Sequence, residues 1–448
     1  MLHESIYHLY QLIVDPLVRS ELIPVLLTLM PFVLFLEIPW TLFLVVGMVQ
    51  YKINRMAEGA RRPYFPAVSC IITCYSEGRD IEKTVVSLVE QIYPGPIQMI
   101  LVVDGATMNK DTLNAAKAME DMVKKHPRRS LLVLPKWQRG GVVSSSNLGL
   151  QFATGEIIIK MDGDTSFDNN MLERATRHFA DPAVAAVSGC LRVRNADQSL
   201  CAAFQAIEYF VAIQSSKTAL SEFNMVNNIS GAFGIFRREV LDLVQGWDAG
   251  TAEDIDMTLR IKNYFAHAHK KFRIVFDPEA ICFTDVPETF IKFFKQRIRW
   301  EGDYPFILFK HRHTLSPRFL GWANFLGMLI SIFTHVVIPG MVFVYTIWLV
   351  VQYPLPFVIA LLLMVYLFYV LMSVALYCIG MALLSERKSS DFSRLHLLLL
   401  MPAFLFAAKI NTLVAILWEL VGEGHKDSSM APWWVLKKNK FGRKEKIG

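Results

Sequence analysis

Charged residues are scarce in this sequence, and their scarcity excludes an entirely soluble protein. Asp, Glu, Lys and Arg make up 19% of the 448 residues, whereas soluble proteins contain about 25%. Apolar residues make up 53% and are concentrated in residues 22–50 and 317–420. Residues 52–316 have the composition of a soluble α/β domain. The composition therefore predicts a soluble domain between membrane segments.

Three kinds of sequence signal are also missing. The six cysteines form no Cys-x-x-Cys pair, which indicates reduced thiols in a cytosolic core. No small-residue cleavage site follows the first apolar run, so we expect no cleavable signal peptide. No nucleic-acid-binding motif occurs, and we expect no nucleic acid partner. The net charge of +6 comes largely from clusters at 52–62 and 437–446, which favours contact with a lipid bilayer.

The first apolar run predicts one N-terminal membrane span. Leu22–Tyr51 would be about 43 Å long as a helix, more than the hydrocarbon core of about 30 Å, so we expect one tilted span. The basic residues Lys52, Arg55, Arg61 and Arg62 follow it directly. Because basic flanks face the cytoplasm, the soluble domain is predicted to be cytoplasmic.

The C-terminal apolar runs predict two spans and leave a third open. Phe319–Val351 and Pro354–Leu384 are each long enough to cross, and the basic link Ser385–Arg394 should be cytoplasmic. Leu395–Leu420 is either a third span or a re-entrant segment, since a span would place the basic tail outside. Lys409, within this run, either faces protein or a polar path, or snorkels near a helix end.

Two segments just before these runs have an amphipathic pattern. Segments 287–297 and 305–311 mix Phe, Ile and Leu with Lys and Arg at helical spacing, and Ile291, Phe294 and Ile298 can share one face. The pattern predicts helices lying in the headgroup plane. An ordinary amphipathic core helix is the alternative.

The soluble region alternates between strand-like and helix-like segments. We predict strands at Val68–Thr73, Met99–Val103, Ser130–Leu134 and Glu156–Met161, and helices at Asp80–Gln91, Thr112–Lys124 and Ile255–Tyr264. Buried strands alternating with helices predict a mostly parallel sheet, with functional residues at the carboxyl ends of its strands.

Three acidic features lie at such positions. Asp104 ends a predicted strand, Asp162-Gly-Asp164 ends another, and Glu253-Asp254 opens a predicted helix. Carboxylates often cap turns and helix starts, so each feature alone is weak. Two carboxylates one residue apart can, however, bind one hard divalent cation, and that cation can hold a diphosphate. The Asp-x-Asp motif therefore favours a metal-diphosphate site, with a structural acidic turn as the alternative.

The motifs together resemble those of glycosyltransferase family 2, in particular its membrane-embedded β-glycan synthases, which make cellulose, chitin, hyaluronan and poly-N-acetylglucosamine. The resemblance covers residues 67–302. Its elements occur in the family's order and include the family's QxxRW signature: Thr73-Cys-Tyr-Ser-Glu77, Asp104-Gly105, Asp162-Gly-Asp164, Glu253-Asp254 and Gln296-Arg-Ile-Arg299-Trp300. An α/β GT-A-type domain inserted between transmembrane helices is implied.

The resemblance also implies a donor site for a nucleotide sugar. Thr73, Tyr75 and Glu77 would surround the base and ribose, and Asp104 would hydrogen-bond the uracil. Asp162 and Asp164 would hold the diphosphate through Mg²⁺ or Mn²⁺.

The remaining motifs imply a catalytic base and an acceptor site. Asp254, beside Glu253, would be the general base. The segment Ser230–Arg237, with Gly231 and Phe233, would line the acceptor site. Trp300 would stack on the acceptor sugar, while Gln296 and Arg299 would meet the acceptor and the diphosphate. These roles agree with the chemistry of an inverting transfer, which needs a base for the acceptor hydroxyl and positive charge at the leaving diphosphate.

The sequence departs from the family pattern near the nucleotide. Val103 replaces an acidic residue that usually precedes the uracil-contacting Asp, and Val142 follows Gly140-Gly141 where relatives often have Lys. Lys136 or Arg139 could supply that missing charge. Ala252 replaces the usual Thr before Glu253-Asp254.

These features divide the chain into five regions: an N-terminal segment and span (1–51), a cytosolic GT-A domain (52–285), QxxRW and interface helices (286–316), a C-terminal membrane region (317–420) and a basic cytosolic tail (421–448). The leading hypothesis is inverting, metal-dependent transfer from a UDP-sugar to a growing β-linked polysaccharide acceptor, coupled to export across the plasma or inner membrane. A non-processive glycolipid synthase resembling ceramide glucosyltransferase is the alternative. A transporter or scaffold is disfavoured because the acidic motifs are complete. The 28 residues after Leu420 are too few for an appended cyclic-dinucleotide-binding domain, so we expect any such control to come from a partner, a regulatory or export subunit.

Overall fold

The computed structural model describes residues 33–58, 64–248 and 252–422. Three predicted features lie outside these ranges: the beginning of the first span at 22–32, the basic residues Arg61 and Arg62, and the basic tail.

One eight-stranded sheet forms the centre of the soluble domain. The strands lie in the order β3-β2-β1-β4-β7-β6-β8-β5. Their bounds are β1 Val68–Cys74, β2 Ile97–Asp104, β3 Arg129–Lys136, β4 Ile157–Asp162, β5 Ser166–Phe167, β6 Val184–Val193, β7 Phe233–Arg237 and β8 Arg273–Thr284.

The sheet is mixed rather than uniformly parallel. Strands β1 to β4 run parallel, with Thr73 of β1 opposite Val102 of β2 and Asp162 of β4. Strand β7 is antiparallel to both β4 and β6, and β5 is antiparallel to β8. The parallel half brings the carboxyl ends of β1, β2 and β4 to one edge, as the sequence predicts. Apolar side chains cover both faces, and every residue of β1 is buried.

Helices cover the sheet and connect it to the membrane region. In chain order they are α1 Ile38–Ala57, α2 Ile81–Val89, α3 Lys110–Ala118, α4 Glu120–Lys124, α5 Gly141–Phe152, α6 Met171–Thr176, α7 Leu200–Tyr209, α8 Ser216–Glu222, α9 Arg238–Leu243, α10 Glu253–His267, α11 Phe290–Lys310, α12 Pro317–Leu320, α13 Trp322–Ile332, α14 Ile338–Gln352, α15 Leu355–Leu384, α16 Lys388–Ser393 and α17 Met401–Gly422.

The two predicted interface segments form one helix, α11, which continues through Pro305. Phe293 of α11 is fully buried against Phe404 of α17, a contact between segments over 100 residues apart. Ile291, on the predicted apolar face, is 71% exposed, so the orientation of that face towards the headgroup plane stays a prediction.

Among the described residues, four helical segments are long and apolar enough to cross a membrane: Val33–Ala57, Trp322–Gln352, Leu355–Leu384 and Met401–Val421. The third C-terminal run thus contains a helix of spanning length. Lys409 donates a hydrogen bond to the Thr334 carbonyl (3.1 Å), so its ammonium faces protein.

The membrane segments contact the soluble domain directly. In α1, a Cβ at Gly47 would lie 2.6 Å from Ala219 Cα of α8, so the two helices touch through their backbones. Further along α1, Arg55 pairs with Glu279 of β8 at 3.0 Å. The link between α15 and α17 also lies on the domain, where Arg387 pairs with Asp168 at 3.0 Å.

Candidate active site

The Asp162-Gly-Asp164 motif forms a tight turn at the carboxyl end of β4. Gly163 donates its backbone N–H to the Thr73 carbonyl (3.1 Å), and Thr165 Oγ1 donates to the Asp162 carbonyl (2.8 Å). The Asp162 side chain is 40% exposed, so a ligand can reach it. Burial and the neighbouring charge of Asp162 raise the pKa of Asp164 to about 6.

Glu77 adds a third carboxylate beside this turn. A Cβ at Gly163 would lie 3.3 Å from the Glu77 carboxyl carbon, so the carboxylate covers the glycine of the motif. Burial raises the pKa of Glu77 to about 7. Its Oε2 is buried and has no hydrogen-bond partner among the described residues. Buried polar atoms in proteins normally have a hydrogen-bond partner, so we expect a bound ligand to supply one for this oxygen.

A buried lysine joins the two acidic motifs. Lys160 is 2% exposed, and its Nζ lies 3.1 Å from Glu253 Oε1 and 3.4 Å from Asp162 Oδ1. It also donates to the Gly231 carbonyl. Burial lowers the pKa of Lys160, but the charges of Asp162 and Glu253 outweigh burial and leave that pKa above its usual value. The charged ammonium therefore holds both motifs side by side.

Asp254 is held at the start of α10. Its Oδ1 accepts the Ile255 N–H (2.8 Å) and its Oδ2 accepts the Gly231 N–H (3.2 Å). The preceding Ala252 has φ of +46°, a left-handed conformation that turns the chain into the helix. Burial, followed by the charge of Glu253, raises the pKa of Asp254.

Asp104, at the end of β2, is 4% exposed and binds the turn before α5. Its Oδ1 accepts from Lys136 Nζ (3.0 Å) and from the Gly140 N–H (2.8 Å), and its Oδ2 accepts the Gly141 N–H (2.8 Å). The carboxylate thus fixes the start of α5, and its contact with a uracil stays a prediction.

Tyr75 and Arg139 lie beside Gly105, the residue after Asp104, and form one side of the candidate site. The Arg139 guanidinium lies 4.0 Å from the centre of the Tyr75 ring, which is 38% exposed overall. Gly105, with φ of +62°, lies beside both: a Cβ there would be 3.5 Å from Arg139 and 3.7 Å from Tyr75. Lys136 and Arg139, the two cations considered from sequence, both lie here.

Two residues predicted to line the acceptor site, Gly231 and Phe233, lie in different surroundings. Gly231 lies against the base motif, since a Cβ there would be 3.1 Å from Glu253 Oε1. Phe233 has no exposed surface, and its ring fills the space over Gly189. The assignment of Phe233 to the acceptor lining was therefore wrong for its side chain, which packs beneath the site.

The QxxRW residues lie on α11. Trp300 is 39% exposed, and the Arg297 guanidinium lies 4.9 Å from its ring centre. Arg297 pairs with Glu208 at 2.7 Å. Gln296 Oε1 is buried and has no partner within the described part of the chain. Arg299 is half-buried.

Helix α11 is tied to the helix that carries Asp254. Lys310 and His311, at its end, each lie 2.9 Å from Asp256 of α10. No hydrogen bond between described residues joins Gln296, Arg299 or Trp300 to the aspartates, so their roles stay predictions.

Residues 66–302 match the family model described as Glycosyltransferase like family 2. The chain belongs to this family. The poly-β-1,6-N-acetyl-D-glucosamine synthase of Staphylococcus epidermidis is 27% identical over 287 residues, covering 62% of this chain and 66% of that one. The synthase of Staphylococcus aureus strain COL is 26% identical over the same length and shares. The matched region thus spans just under two thirds of these relatives.

The fold of this glycosyltransferase is similar to that of a solved mannosyltransferase. The protein from Pyrobaculum calidifontis, in complex with GDP-Man and Mn²⁺, superposes with a TM-score of 0.53 at 21% identity, over 85% of this chain and 99% of that one. The GT-A-type α/β domain, flanked by helices that are long and apolar enough to span a membrane, is confirmed, and the chain is a glycosyltransferase.

The carboxylates of the transferase fit a hard divalent cation in part. Asp162 and Asp164 provide oxygen ligands of the kind that Mg²⁺ and Mn²⁺ prefer. No three His, Cys, Asp or Glu side chains in the described ranges are close enough to form a metal site by themselves. Donor phosphate oxygens would have to complete the coordination, as is usual for Mg²⁺ at nucleotide sites.

Lys160 is the main residue that the sequence analysis of this transferase missed. Its signal was a single lysine inside the strand Ile157-Ile-Ile-Lys-Met161. A charged residue in a fully buried strand requires a counter-charge, and the acidic motifs were the candidates.

Proposed function

We propose that this glycosyltransferase extends a β-linked polysaccharide from a UDP-sugar by an inverting, metal-dependent transfer, and that the polymer leaves through the membrane helices. The relatives named as poly-β-1,6-N-acetyl-D-glucosamine synthases support UDP-N-acetylglucosamine as the first donor to test.

The observation that carries the proposal is the Lys160 bridge. It holds the diphosphate-binding motif and the base motif on two sides of one charged group, with Asp162 3.4 Å and Glu253 3.1 Å from its Nζ. An in-line transfer needs the leaving group and the base in one site, and this juxtaposition supports both.

Asp254 is the proposed base. Burial raises its pKa, so its carboxylate has a higher proton affinity than an exposed aspartate. Asp254 Oδ2 accepts the N–H of Gly231, which belongs to the predicted acceptor segment, and Asp254 Oδ1 accepts the N–H of Ile255. These two bonds orient the carboxylate to accept the proton of an acceptor hydroxyl as the sugar transfers.

Asp162 and Asp164 would hold Mg²⁺ or Mn²⁺ with the donor diphosphate, and the cation would supply positive charge at the leaving oxygen. The Glu77 carboxylate beside them would hold the ribose or a phosphate-bound water. The Tyr75 ring, on a residue that is 38% exposed overall, would contact the nucleobase of the donor. Trp300, Gln296 and Arg299 would bind the acceptor.

The catalytic domain is proposed to be cytoplasmic, where nucleotide sugars are made. Lys52 and Arg55 lie in the last two turns of α1, at the end that adjoins the catalytic domain, in agreement with the positive-inside bias. The link carrying Arg387 contacts the domain, which supports one membrane face for both.

The test is Asp254→Asn in the full-length protein reconstituted in lipid, with labelled UDP-N-acetylglucosamine and Mn²⁺. We expect UDP release to fall by roughly 10²–10⁴-fold, because the proton acceptor is lost, while donor binding is retained. Asp242→Asn, on an exposed surface carboxylate of α9, is the matched control and should keep full activity.

Product size separates the alternatives. Long chains made by the wild-type protein would support a polysaccharide synthase. A lipid that carries a single sugar would instead identify the protein as a glycolipid synthase. Near-normal turnover of the Asp254→Asn protein would remove Asp254 as the base. UDP-glucose and GDP-mannose in the same panel test the donor.

A further inference from the structure

A polar cavity outside the candidate active site lies between the catalytic domain and the link that joins α15 to α17. It has a volume of about 370 Å³ and is bordered by the end of β6 on one side and by α16 on the other. Four arginines line it: Arg192, Arg194, Arg387 and Arg394. Its volume is within the range of small-molecule sites.

Each arginine of this arginine cavity has a carboxylate partner. Two of these carboxylates, Asp197 and Asp391, lie in the lining, and the other two lie just outside it: Asp285 pairs with Arg194 at 2.5 Å and Asp168 with Arg387 at 3.0 Å. Arg192 and Asp391 form a buried pair at 2.5 Å, which makes the floor. The partner of Arg394 is Asp197, whose side chain is 88% exposed. Exposed pairs of this kind are weak and can be exchanged for another anion.

Arg394 has unfilled hydrogen-bonding capacity. The residue is only 9% exposed, yet its Nε has no hydrogen-bond partner among the residues that the structure describes. A buried charged donor without an acceptor is unfavourable, and guanidinium groups pair well with phosphate oxygens. A phosphate in the cavity would replace the exposed Asp197 carboxylate as the partner of the Arg394 guanidinium.

The arginine cavity adjoins the donor site but is separate from its carboxylates. Arg194 connects them: its Nη2 donates to the Asp164 carbonyl (3.0 Å) and its Nη1 to Ser166 Oγ (3.2 Å). Arg387, on the opposite wall, is half-exposed and follows the apolar helix α15 by three residues. The cavity therefore opens where the soluble domain meets the membrane region.

We propose that the arginine cavity is a binding site for a phosphate-bearing anion, distinct from the donor diphosphate site. The phosphate comes either from a lipid headgroup at the membrane surface or from a free phosphate compound in solution. Arg194 also donates to the Asp164 carbonyl, so an anion bound in the arginine cavity would affect the loop that carries Asp164.

The experiment measures binding to the purified full-length protein in detergent with EDTA and without donor. EDTA removes divalent cations, so diphosphate is not held by metal at Asp162 and Asp164. Pyrophosphate is the soluble probe, followed by calorimetry. Phosphatidic acid is the lipid probe, followed by native mass spectrometry of delipidated protein.

We expect one equivalent of at least one probe to bind the wild-type protein. Arg394→Gln and Arg387→Gln should each weaken binding roughly tenfold, because each removes a charge-assisted contact. Asp197→Asn should strengthen binding, because it removes the carboxylate that competes for Arg394. Arg312→Gln, at an exposed arginine outside the cavity, is the matched control and should bind as wild type does.

The two arms identify the source. Binding of pyrophosphate alone indicates a free phosphate compound, and retention of phosphatidic acid alone indicates a headgroup. The proposal is refuted if neither probe binds stoichiometrically, or if Arg387→Gln binds as tightly as wild type. Arg387 is half-exposed, so its variant gives the answer even where Arg394→Gln does not fold. Because no donor is present, the result is independent of glycosyl transfer.

Discussion

Replacing Lys160 by Met tests whether its charge holds the active site together. The substitution keeps the length and volume of the side chain but removes the ammonium between Glu253 and Asp162. The Coulomb attraction at these distances is roughly 5 kcal/mol for each pair at an effective dielectric constant of about 20. Removing one partner of a buried pair typically costs about 3–5 kcal/mol, because the other charge stays buried without compensation.

A second buried lysine provides the control. Lys262, in α10, is 1% exposed and donates to Asn227 Oδ1 (3.1 Å), without a carboxylate partner in the described contacts. Burial lowers the pKa of Lys262 to about 7. Lys262→Met therefore removes a poorly compensated charge, and we expect it to be neutral or stabilising.

The assay is thermal unfolding of the detergent-solubilised full-length proteins at one pH. Lys160→Met should lower the midpoint by roughly 10 °C, while Lys262→Met should not lower it. Adding Glu253→Gln to Lys160→Met should recover part of the loss, because it removes the uncompensated carboxylate. Equal effects of the two lysine substitutions, or no recovery in the double variant, would show that the bridge does not stabilise the site.

Three further outcomes are expected. Mn²⁺ binding, followed by electron paramagnetic resonance, should be roughly tenfold weaker at pH 5 than at pH 7, because Asp164 must lose its proton near pH 6 to bind the cation; Asp164→Asn should bind weakly at both. The pKa of Lys262 is about 7 in the folded protein and lies near 10.5 when unfolded, so the unfolded state binds more protons between these values. Its contribution should make the protein more stable as pH rises from about 7 to about 10, and Lys262→Met should remove that contribution from a thermal-unfolding series. Gly189→Ala would place a Cβ 1.8 Å from the Phe233 ring, so it should destabilise the protein by about 1–3 kcal/mol or more, measured by the same unfolding assay, with no loss expected for the open position Gly340.

The parallel half of the sheet could be predicted from sequence because its signals are local. Strand β1 was predicted at Val68–Thr73 and is observed at Val68–Cys74, and β4 was predicted at Glu156–Met161 and is observed at Ile157–Asp162. Runs of β-branched residues that are buried on both faces specify such strands, and the carboxyl ends of parallel strands must share an edge. The position of the Asp162 motif follows from these two facts.

Other features depend on contacts between distant segments. The reversed direction of β7 is set by its pairing with β4 and β6, about 75 and 50 residues earlier in the chain. Pro305 suggests a break between two helices, yet Tyr304 and Ile307 on either side of it are buried and keep α11 continuous. Tertiary packing here outweighs the local cost of proline.

The charge partners were harder still to predict. Lys160 lies 93 residues from Glu253, and the sequence does not state which carboxylate a buried lysine meets. The partners of the Asp104 carboxylate, Lys136 and the turn before α5, were not predicted from sequence, and its contact with the nucleotide stays a prediction. Phe233 was assigned to the acceptor, whereas Gly189 leaves room for its ring in the core.

The contact between α1 and α8 limits how this enzyme can be divided. Gly47 lets the first membrane helix approach Ala219 at backbone distance, and the Arg55–Glu279 pair fastens the same helix to β8. A truncated protein that began after residue 63 would expose Ala219 and leave Glu279 without Arg55. We therefore expect the catalytic part, produced as an isolated fragment, to be poorly soluble and difficult to refold or crystallise. An apolar helix that replaces α1, in the same chain or as an added peptide, should correct this.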